Sequence, residues 1–498
     1  MWLGLCSIQT VHILRVSVGL IAVAACLAAG CGPSDTTPQV TAAIEQIVAG
    51  SPTSHVDEQV WADVRQFYAH RANAPRWVRD GKTADGKVTG VASALRVIRQ
   101  APDHGLTAGD YDEGALARIA DASQTSKNPI KDAFGDDVQA QARFDVRVTT
   151  ALLALGRDVA LGRVNPETIE QRWKARRTPP DLAGTLSMAA GDASSNNASV
   201  DGWLNTIRPV HPEYAALQKV LSGARQQREA AGADERTRQI ALNMERWRWM
   251  PDDLGVHHIL VNIPAFHMAV RENGRAVLDM KVVVGKTGHE TPVFSGDMST
   301  IVFSPYWNVP DSIAEGETAP AAARDPNYLA RNNIEILRVS KSGSTLVDPR
   351  KVDWDDADAI KALAFRQKPG AANALGHVKF LFPNKYDVYL HDTPADALFE
   401  RRGRALSHGC VRLEQPEELA KYVLRGRPEW DQPRIETAMN AGEEKQVALK
   451  NKIPVHIVYF TVWPTDSGGV DTWPDVYGYD AKQSASPSTT GRRMAKLN

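Results

Sequence analysis

The sequence is poor in cysteine. Of 498 residues only four are Cys (Cys6, Cys26, Cys31 and Cys410), so three lie in the first 31 positions and one serves the rest of the chain. A disulfide framework is thereby excluded for the folded body, as is a zinc site built of Cys alone. Charge of one sign is also lacking: 58 basic against 59 acidic side chains leave a net charge of -1. No field exists to gather nucleic acid or an anionic membrane surface. Long apolar runs are missing apart from one near the N-terminus. What is present, 43% hydrophobic residues and 12 Trp, is the composition of a globular chain. At roughly 100 to 200 residues per domain the length allows two or three domains.

The one apolar run, Val16 to Gly30, follows Arg15 and is short for a membrane span of about 20 residues but suits the core of an export signal. It ends in small residues before Cys31, and LAAGC resembles a bacterial lipoprotein box. Val23 to Cys26 forms a second such string. The polar stretch GPSDTTPQ after Cys31 favours Cys31 as the lipidated residue, against an ordinary cleaved signal or an uncleaved anchor. The expectation is a periplasmic, membrane-tethered body with a signal at 1–30 and a tether at 31–55.

From Val56 to Leu221 apolar residues recur at helical steps: Val60, Val64 and Phe67; Val91, Leu95 and Ile98; Val148, Leu152, Leu155 and Val159. These stripes, with Trp61, Trp77 and Trp173, read as the core of a helical domain over 56–221. Asp181 to Asp201, rich in Gly, Ser, Asn and Ala, reads as a long loop. A polar segment from Ser222 to Gln239 leads to a short amphipathic helix with Ile240, Met244 and Trp247, so 222–250 reads as a connecting helical segment between two domains. After Pro251 the period becomes two. Ile259, Val261 and Ile263, then Phe266, Met268 and Val270, precede Asn273-Gly274, with Leu278, Met280, Val282 and Val284 beyond it, a strong hairpin signal. Further strands are expected at His377 to Phe382, Tyr386 to His391 and Ile453 to Trp463. The fold class is thus α+β, with a mostly β domain over 251–480 interrupted by an inserted lid at Asp311 to Asn333 and followed by a loose tail at 481–498.

The solitary Cys410 sits in Ser407-His408-Gly409-Cys410-Val411-Arg412, and Tyr389-Leu390-His391-Asp392 precedes it. Strand alternation puts Tyr389 and His391 on one face. A thiol of pKa about 8.5 needs a base or a positive charge beside it, and His391 and His408 are available. Gly409 allows close approach of a reacting carbonyl, and amides near Cys410 could form an oxyanion hole. Pro416 with Glu417 and Glu418 reads as a helix start, placing the nucleophile on a loop ahead of a helix. On residues alone, a buried inert thiol, two satisfied sheet histidines and a metal set of His391, His408 and Cys410 all stay open.

His391, a gap of 15 residues and then Ser407 to Arg412 closely resemble the signature of the L,D-transpeptidase catalytic domain. FSPYWNVP at Phe303 to Pro310, NALGHVKF at Asn373 to Phe380, HDTP at His391 and DVYGYD at Asp475 are similar to its long Gram-negative branch. Trp77-Val78, DHGL at Asp103, GRVNP at Gly162 and HPEY at His211 resemble that branch's scaffold domain. One departure stands out: Ser222 to Gln239 is too short for the small peptidoglycan-binding module that long members often insert.

The resemblance implies that Cys410 is the nucleophile and His391 its base, oriented by the backbone carbonyl at Asp392. His408, Gly409 and Tyr389 would line the oxyanion region, with Ser407 beside them. Arg412 would hold a substrate carboxylate or the loop itself, or make a structural ion pair; Trp307 and Asn308 would line the donor groove or simply pack. The implied partners are peptidoglycan stem peptides. Cys410 would take the acyl group of a tetrapeptide with release of D-Ala, and a second stem's side-chain amine would resolve the thioester into a 3-3 cross-link. A lipoprotein lysine, a free D-amino acid or water are alternative acceptors, and a silent wall-binding scaffold is the non-enzymatic alternative. No metal or organic cofactor is implied, and carbapenems are expected inhibitors.

Overall fold

The computed structural model describes residues 37–52, 56–78, 89–125, 129–191, 200–226, 233–341 and 343–486. The apolar N-terminal run, Cys26 and the expected lipidation site Cys31 lie outside these residues.

The N-terminal half is helical and is built around the 24-residue helix Val138–Leu161. Asp137 caps that helix, accepting from the Ala140 amide at 2.9 Å, which satisfies one of its open N–H groups. The residues expected to form stripes pack against it: Val64, Phe67, Val91, Leu95, Leu152, Leu155 and Val159 are all buried in one cluster. Within this core Asp145 is fully enclosed. Its carboxylate accepts from the amides of Arg76, Trp77 and Val78 at 2.9, 2.6 and 3.0 Å and from the Tyr68 hydroxyl at 2.7 Å.

Several expectations are corrected here. The 31–55 stretch is not a mere tether, because Thr37–Ala49 is a helix whose Val40, Ala43, Ile44 and Val48 enter the scaffold core. Asp181 to Asp201 is not one long loop either. Leu182–Ala190 is helical, capped by Asp181 and burying Leu182, Ala183, Leu186 and Ala190; small residues masked an ordinary apolar face. The connecting segment expected to be helical over 222–250 is carried by Pro212–Gln226 and Ala233–Arg248. These two helices put Tyr214, Leu217, Leu221, Met244 and Trp247 against Leu260, Val458, Phe460 and Val462. The helical half therefore grips the β half through a shared apolar layer.

The β half holds a nine-stranded sheet. Its strands are β1 (His257–Asn262), β2 (His267–Glu272), β3 (Arg275–Gly285) and β4 (Phe294–Phe303), then, after an insertion with four further strands, β9 (Val378–Leu381), β10 (Leu390–His391), β11 (Ala405–Ser407), β12 (Val411–Leu413) and β13 (Lys445–Val458). The order is β11-β3-β12-β10-β9-β4-β13-β1-β2, with β2 also paired to β3. Asn273 and Gly274 take φ of 49° and 79°, the positive values that a tight hairpin turn requires. Ile259, Val261, Met268, Val270, Val282 and Val284 fill the core on one face, as alternation demands.

The insertion is larger than Asp311 to Asn333. β5 (Trp307–Asn308), β6 (Ile334–Ser340), β7 (Gly343–Val347) and β8 (Leu363–Gln367) form a separate sheet in the order β5-β8-β6-β7. Helical segments between Asp311 and Arg331 cover it, around Val309, Leu329, Ile336 and Phe365. This lid has a core of its own. Of the expected loose tail, residues 481–485 belong to the helix Tyr479–Ala485, and buried Gln483 accepts from Arg246 at 3.0 Å; residues 487–498 lie outside the described residues.

Candidate active site

The strand expected from Tyr386 to His391 is reduced to Leu390–His391. Asn384 shortens it, because its amide donates to the carbonyls of Phe382 and Val388, both at 2.7 Å, and Asp387 turns with φ of 54°. The two strand residues suffice to aim the side chains. β10 runs parallel to β12, pairing Leu390 with Val411 and His391 with Arg412. Leu390 enters the core, while Tyr389 and His391 stand together with ring centroids 5.6 Å apart. They line a cavity of about 210 Å³ with Trp307, Leu375, Ser407, His408, Cys410 and Arg412, and with Ile313 and Glu317 of the lid.

His391 is 4% exposed. Its Nδ1 lies 2.5 Å from the Asp392 carbonyl. Because a carbonyl only accepts, that contact fixes the proton on Nδ1 and leaves Nε2 as the acceptor. Burial, with repulsion from Arg412 and Lys379, lowers the imidazole to about 3. The Asp392 side chain serves the backbone instead, its carboxylate accepting from the His377 and Thr393 amides, both at 2.7 Å. Burial pushes the Cys410 thiol up, opposed by hydrogen bonding from Tyr389 and by the Arg412 charge. Tyr389, half-buried beside Cys410, is raised far above the ordinary phenol range by loss of solvent and by the neighbouring thiol. The shifts of Cys410 and His391 both favour a resting pair of neutral thiol and neutral imidazole.

The loop holding the thiol is stapled from within. Ser407, 2% exposed, donates through its hydroxyl to the Cys410 carbonyl at 2.6 Å and accepts from the Gly409 amide at 3.1 Å. Two expectations change. The Gly409 amide is spent on Ser407, leaving the Cys410 amide, which has no hydrogen-bond partner among the described residues, as the nearer oxyanion donor. Ser407 holds the loop rather than substrate. The nucleophile also precedes strand β12 and not a helix directly; the helix Pro416–Leu424 follows after that strand.

Arg412 has no ion-pair partner among the described residues, and its buried Nε lacks a hydrogen bond. An ion pair therefore does not account for it. His408 Nε2 lies 2.9 Å from Glu317 Oε1 and 3.2 Å from Lys286 Nζ, and its ring stands 4.9 Å from that of His289. Trp307 lines the cavity, whereas Asn308 is exposed in the lid sheet opposite Arg366 and does not. Three supporting roles escaped the sequence reading, although Tyr477 lies in the DVYGYD string. Fully buried Thr291 donates to the Gly409 carbonyl at 2.7 Å, Tyr477 donates to the Gly285 carbonyl at 2.6 Å, and Glu317 enters from the lid. The turn-rich string GKTGHETP at the end of β3 was the available signal for Thr291.

Residues 256–431 match the L,D-transpeptidase catalytic domain (YkuD), and residues 62–221 match the Scaffold domain. The chain carries an L,D-transpeptidase catalytic domain. A Haemophilus influenzae protein provisionally named an L,D-transpeptidase is 35% identical over 245 residues, which cover 49% of this chain and 48% of that one. The chain thus spans about half the length of this curated relative. Among solved structures, an L,D-transpeptidase from Mycobacterium smegmatis shares 13% identity at a TM-score of 0.21, covering 41% of this chain and 58% of its own. An LD transpeptidase in complex with imipenem shares 17% at a TM-score of 0.20, covering 41% and 59%. Overlaps of that size carry no argument about this site.

Proposed function

We propose that this protein is a peptidoglycan L,D-transpeptidase acting through Cys410. The observation that carries the reading is one cavity lined by Cys410, by an imidazole whose Nδ1 is held by the Asp392 carbonyl, and by Arg412, which has no ion-pair partner among the described residues. Arg412 receives a carboxylate of the donor stem, the charge its free guanidinium matches best. Cys410 Sγ attacks the carbonyl before the terminal D-Ala as its proton passes to His391 Nε2. A thiol raised by burial and an imidazole lowered to about 3 do not form an ion pair beforehand, so proton transfer accompanies C–S bond formation. The Cys410 amide and the Tyr389 hydroxyl support the oxyanion. His391 then hands its proton to the leaving amine of D-Ala, giving the thioester. A second stem's side-chain amine attacks it, the new amide forms, and the amine's proton returns to Cys410 through His391.

Export and acylation at Cys31 would set this chemistry at a membrane facing the wall; labelling with a palmitate analogue is expected, and its persistence in Cys31→Ala would refute that site. Intact mass after incubation with a carbapenem tests the nucleophile. One adduct is expected on the wild-type protein and none on Cys410→Ala; no adduct on wild type, or one that survives the substitution, sinks the reading. Muropeptides from cells expressing the protein should contain dimers joined at the third residues. Their absence would redirect the acyl group to water or to a lipoprotein lysine.

A further inference from the structure

The lid brings a carboxylate into the cavity of the nucleophile. Between Asp311 and Arg324 the helix is not continuous α: over Ala314–Thr318 it widens, and the Ala319 amide bonds back five residues to the Ala314 carbonyl. Pro320, which has no N–H, follows at once. One extra residue in a turn shifts the facing of what lies beyond by about 100°. Ala314, Ala319 and Ala322 thereby face the lid's own core, while Glu317 reaches the other way, to His408.

Stabilisation alone explains that contact poorly. The Glu317 side chain is 56% exposed and that of His408 28%, and even a fully charged pair so exposed contributes only about 0 to 1 kcal/mol. Burial and the Lys286 charge push His408 below the ordinary imidazole range, so the ring offers Glu317 a hydrogen bond from a neutral group, which a true cation would displace. Glu317 is the one carboxylate side chain among the described residues lining this cavity, where Arg412 supplies the opposite sign. A cationic nitrogen already stands at the spot: Lys286 Nζ, 3.2 Å from the same His408 Nε2.

The proposed reaction needs both signs in turn. The departing D-Ala carries a carboxylate away; the acceptor arrives as a primary ammonium and sheds one proton, to Glu317 or to solvent, before it attacks the thioester. Resting on the transpeptidase reading, we propose that Glu317 is the acceptor-specificity residue, its carboxylate binding the ammonium of the incoming stem beside the Cys410 thioester, so that docking of the lid selects an amine over water.

The test separates the two half-reactions in the full-length protein. Acyl-enzyme formation with a carbapenem is followed by intact mass, and turnover of a tetrapeptide donor is followed against the concentration of an amine-bearing stem. Glu317→Gln should raise the acceptor KM about tenfold or more, the scale of one hydrogen bond to a charged group, well beyond any change in acylation rate. Hydrolysis should grow at the expense of cross-link, and Glu317→Asp should recover part of the loss. An acceptor KM unmoved in Glu317→Gln, or a kcat loss without a KM change, overturns the assignment while leaving the nucleophile intact. Failure of the wild-type protein to form an adduct on Cys410 overturns the transpeptidase reading and this inference together.

Discussion

The hydroxyl of Thr291 donates to the Gly409 carbonyl at 2.7 Å and accepts from the Gly285 amide at 2.8 Å, so one buried side chain ties the end of β3 to the loop that carries Cys410. Thr291→Val keeps the shape and removes both bonds. With Thr291 fully buried, two backbone groups lose their partner, at about 1 to 3 kcal/mol. A lower melting temperature and slower carbapenem acylation are expected, and an unchanged acylation rate would show that the loop is held without it.

Gly409 adopts φ of 120°, and a Cβ built there would meet only the His289 carbonyl oxygen, at 3.8 Å. Space is sufficient; the backbone conformation is not open to an L side chain. Gly409→Ala should therefore cost about 1 to 3 kcal/mol through local strain and misplace Sγ. The expected result is a folded protein by circular dichroism with acylation strongly reduced. Near-normal acylation would mean that the loop relaxes at little cost.

Because burial raises the thiol and lowers its base, Cys410 should not behave as a preformed thiolate. Alkylation by iodoacetamide in the resting protein should be slower at pH 7 than that of a free cysteine, and should climb only above the ordinary thiol range near pH 8.5. A plateau already reached at pH 6 would indicate an ion pair instead.

Three buried histidines share one pH signature. His391 and His104 are lowered to about 3 and His456 to about 4 by burial. The folded state holds each neutral, whereas the unfolded chain binds a proton near pH 6.5, so their contribution is complete above pH 6.5 and drains away as pH falls towards 3 to 4. The melting temperature should already decline between pH 6.5 and 5, before most carboxylates titrate. A flat profile there would contradict the burial.

Asp145 satisfies three consecutive amides and a phenol with no cation among its hydrogen-bond partners. Asp145→Asn turns an acceptor oxygen into a donor facing those N–H groups. A loss of about 2 kcal/mol or more is expected by denaturant titration of the full chain, and a loss under about 0.5 kcal/mol, the low end for one hydrogen bond, would deny the carboxylate its organising part.

The sequence is most legible where a period or a rigid spacing dominates. Alternation around Asn273-Gly274 and the stripes of Val60, Val64 and Phe67 predict elements that exist, and the string from Ser407 to Arg412 points to the cavity. It is least legible where small residues hide an apolar face, as at Leu182 to Ala190, and where a side chain claims the backbone of an expected strand, as Asn384 does. Thr291, Tyr477 and Glu317 reach the site from 119, 67 and 93 positions away from Cys410, distances at which no local pattern operates. Which amide near Cys410 is open to an oxyanion is not legible either: Ser407, two residues before Gly409, accepts the Gly409 amide.

The pairing of β13 with β1 and β4 joins Val455 to Ile259 and Ile457 to Phe294. Those partners lie 196 and 163 positions apart, so the central sheet cannot close until the last long strand has left the ribosome. Pairings of such separation form slowly because the intervening chain must be ordered first. A chain in this condition stays open while it is being made, with only the helical half able to condense early. Under the proposed export, late closure of the sheet would keep the nucleophile unassembled while the chain is still thread-like enough to cross a membrane.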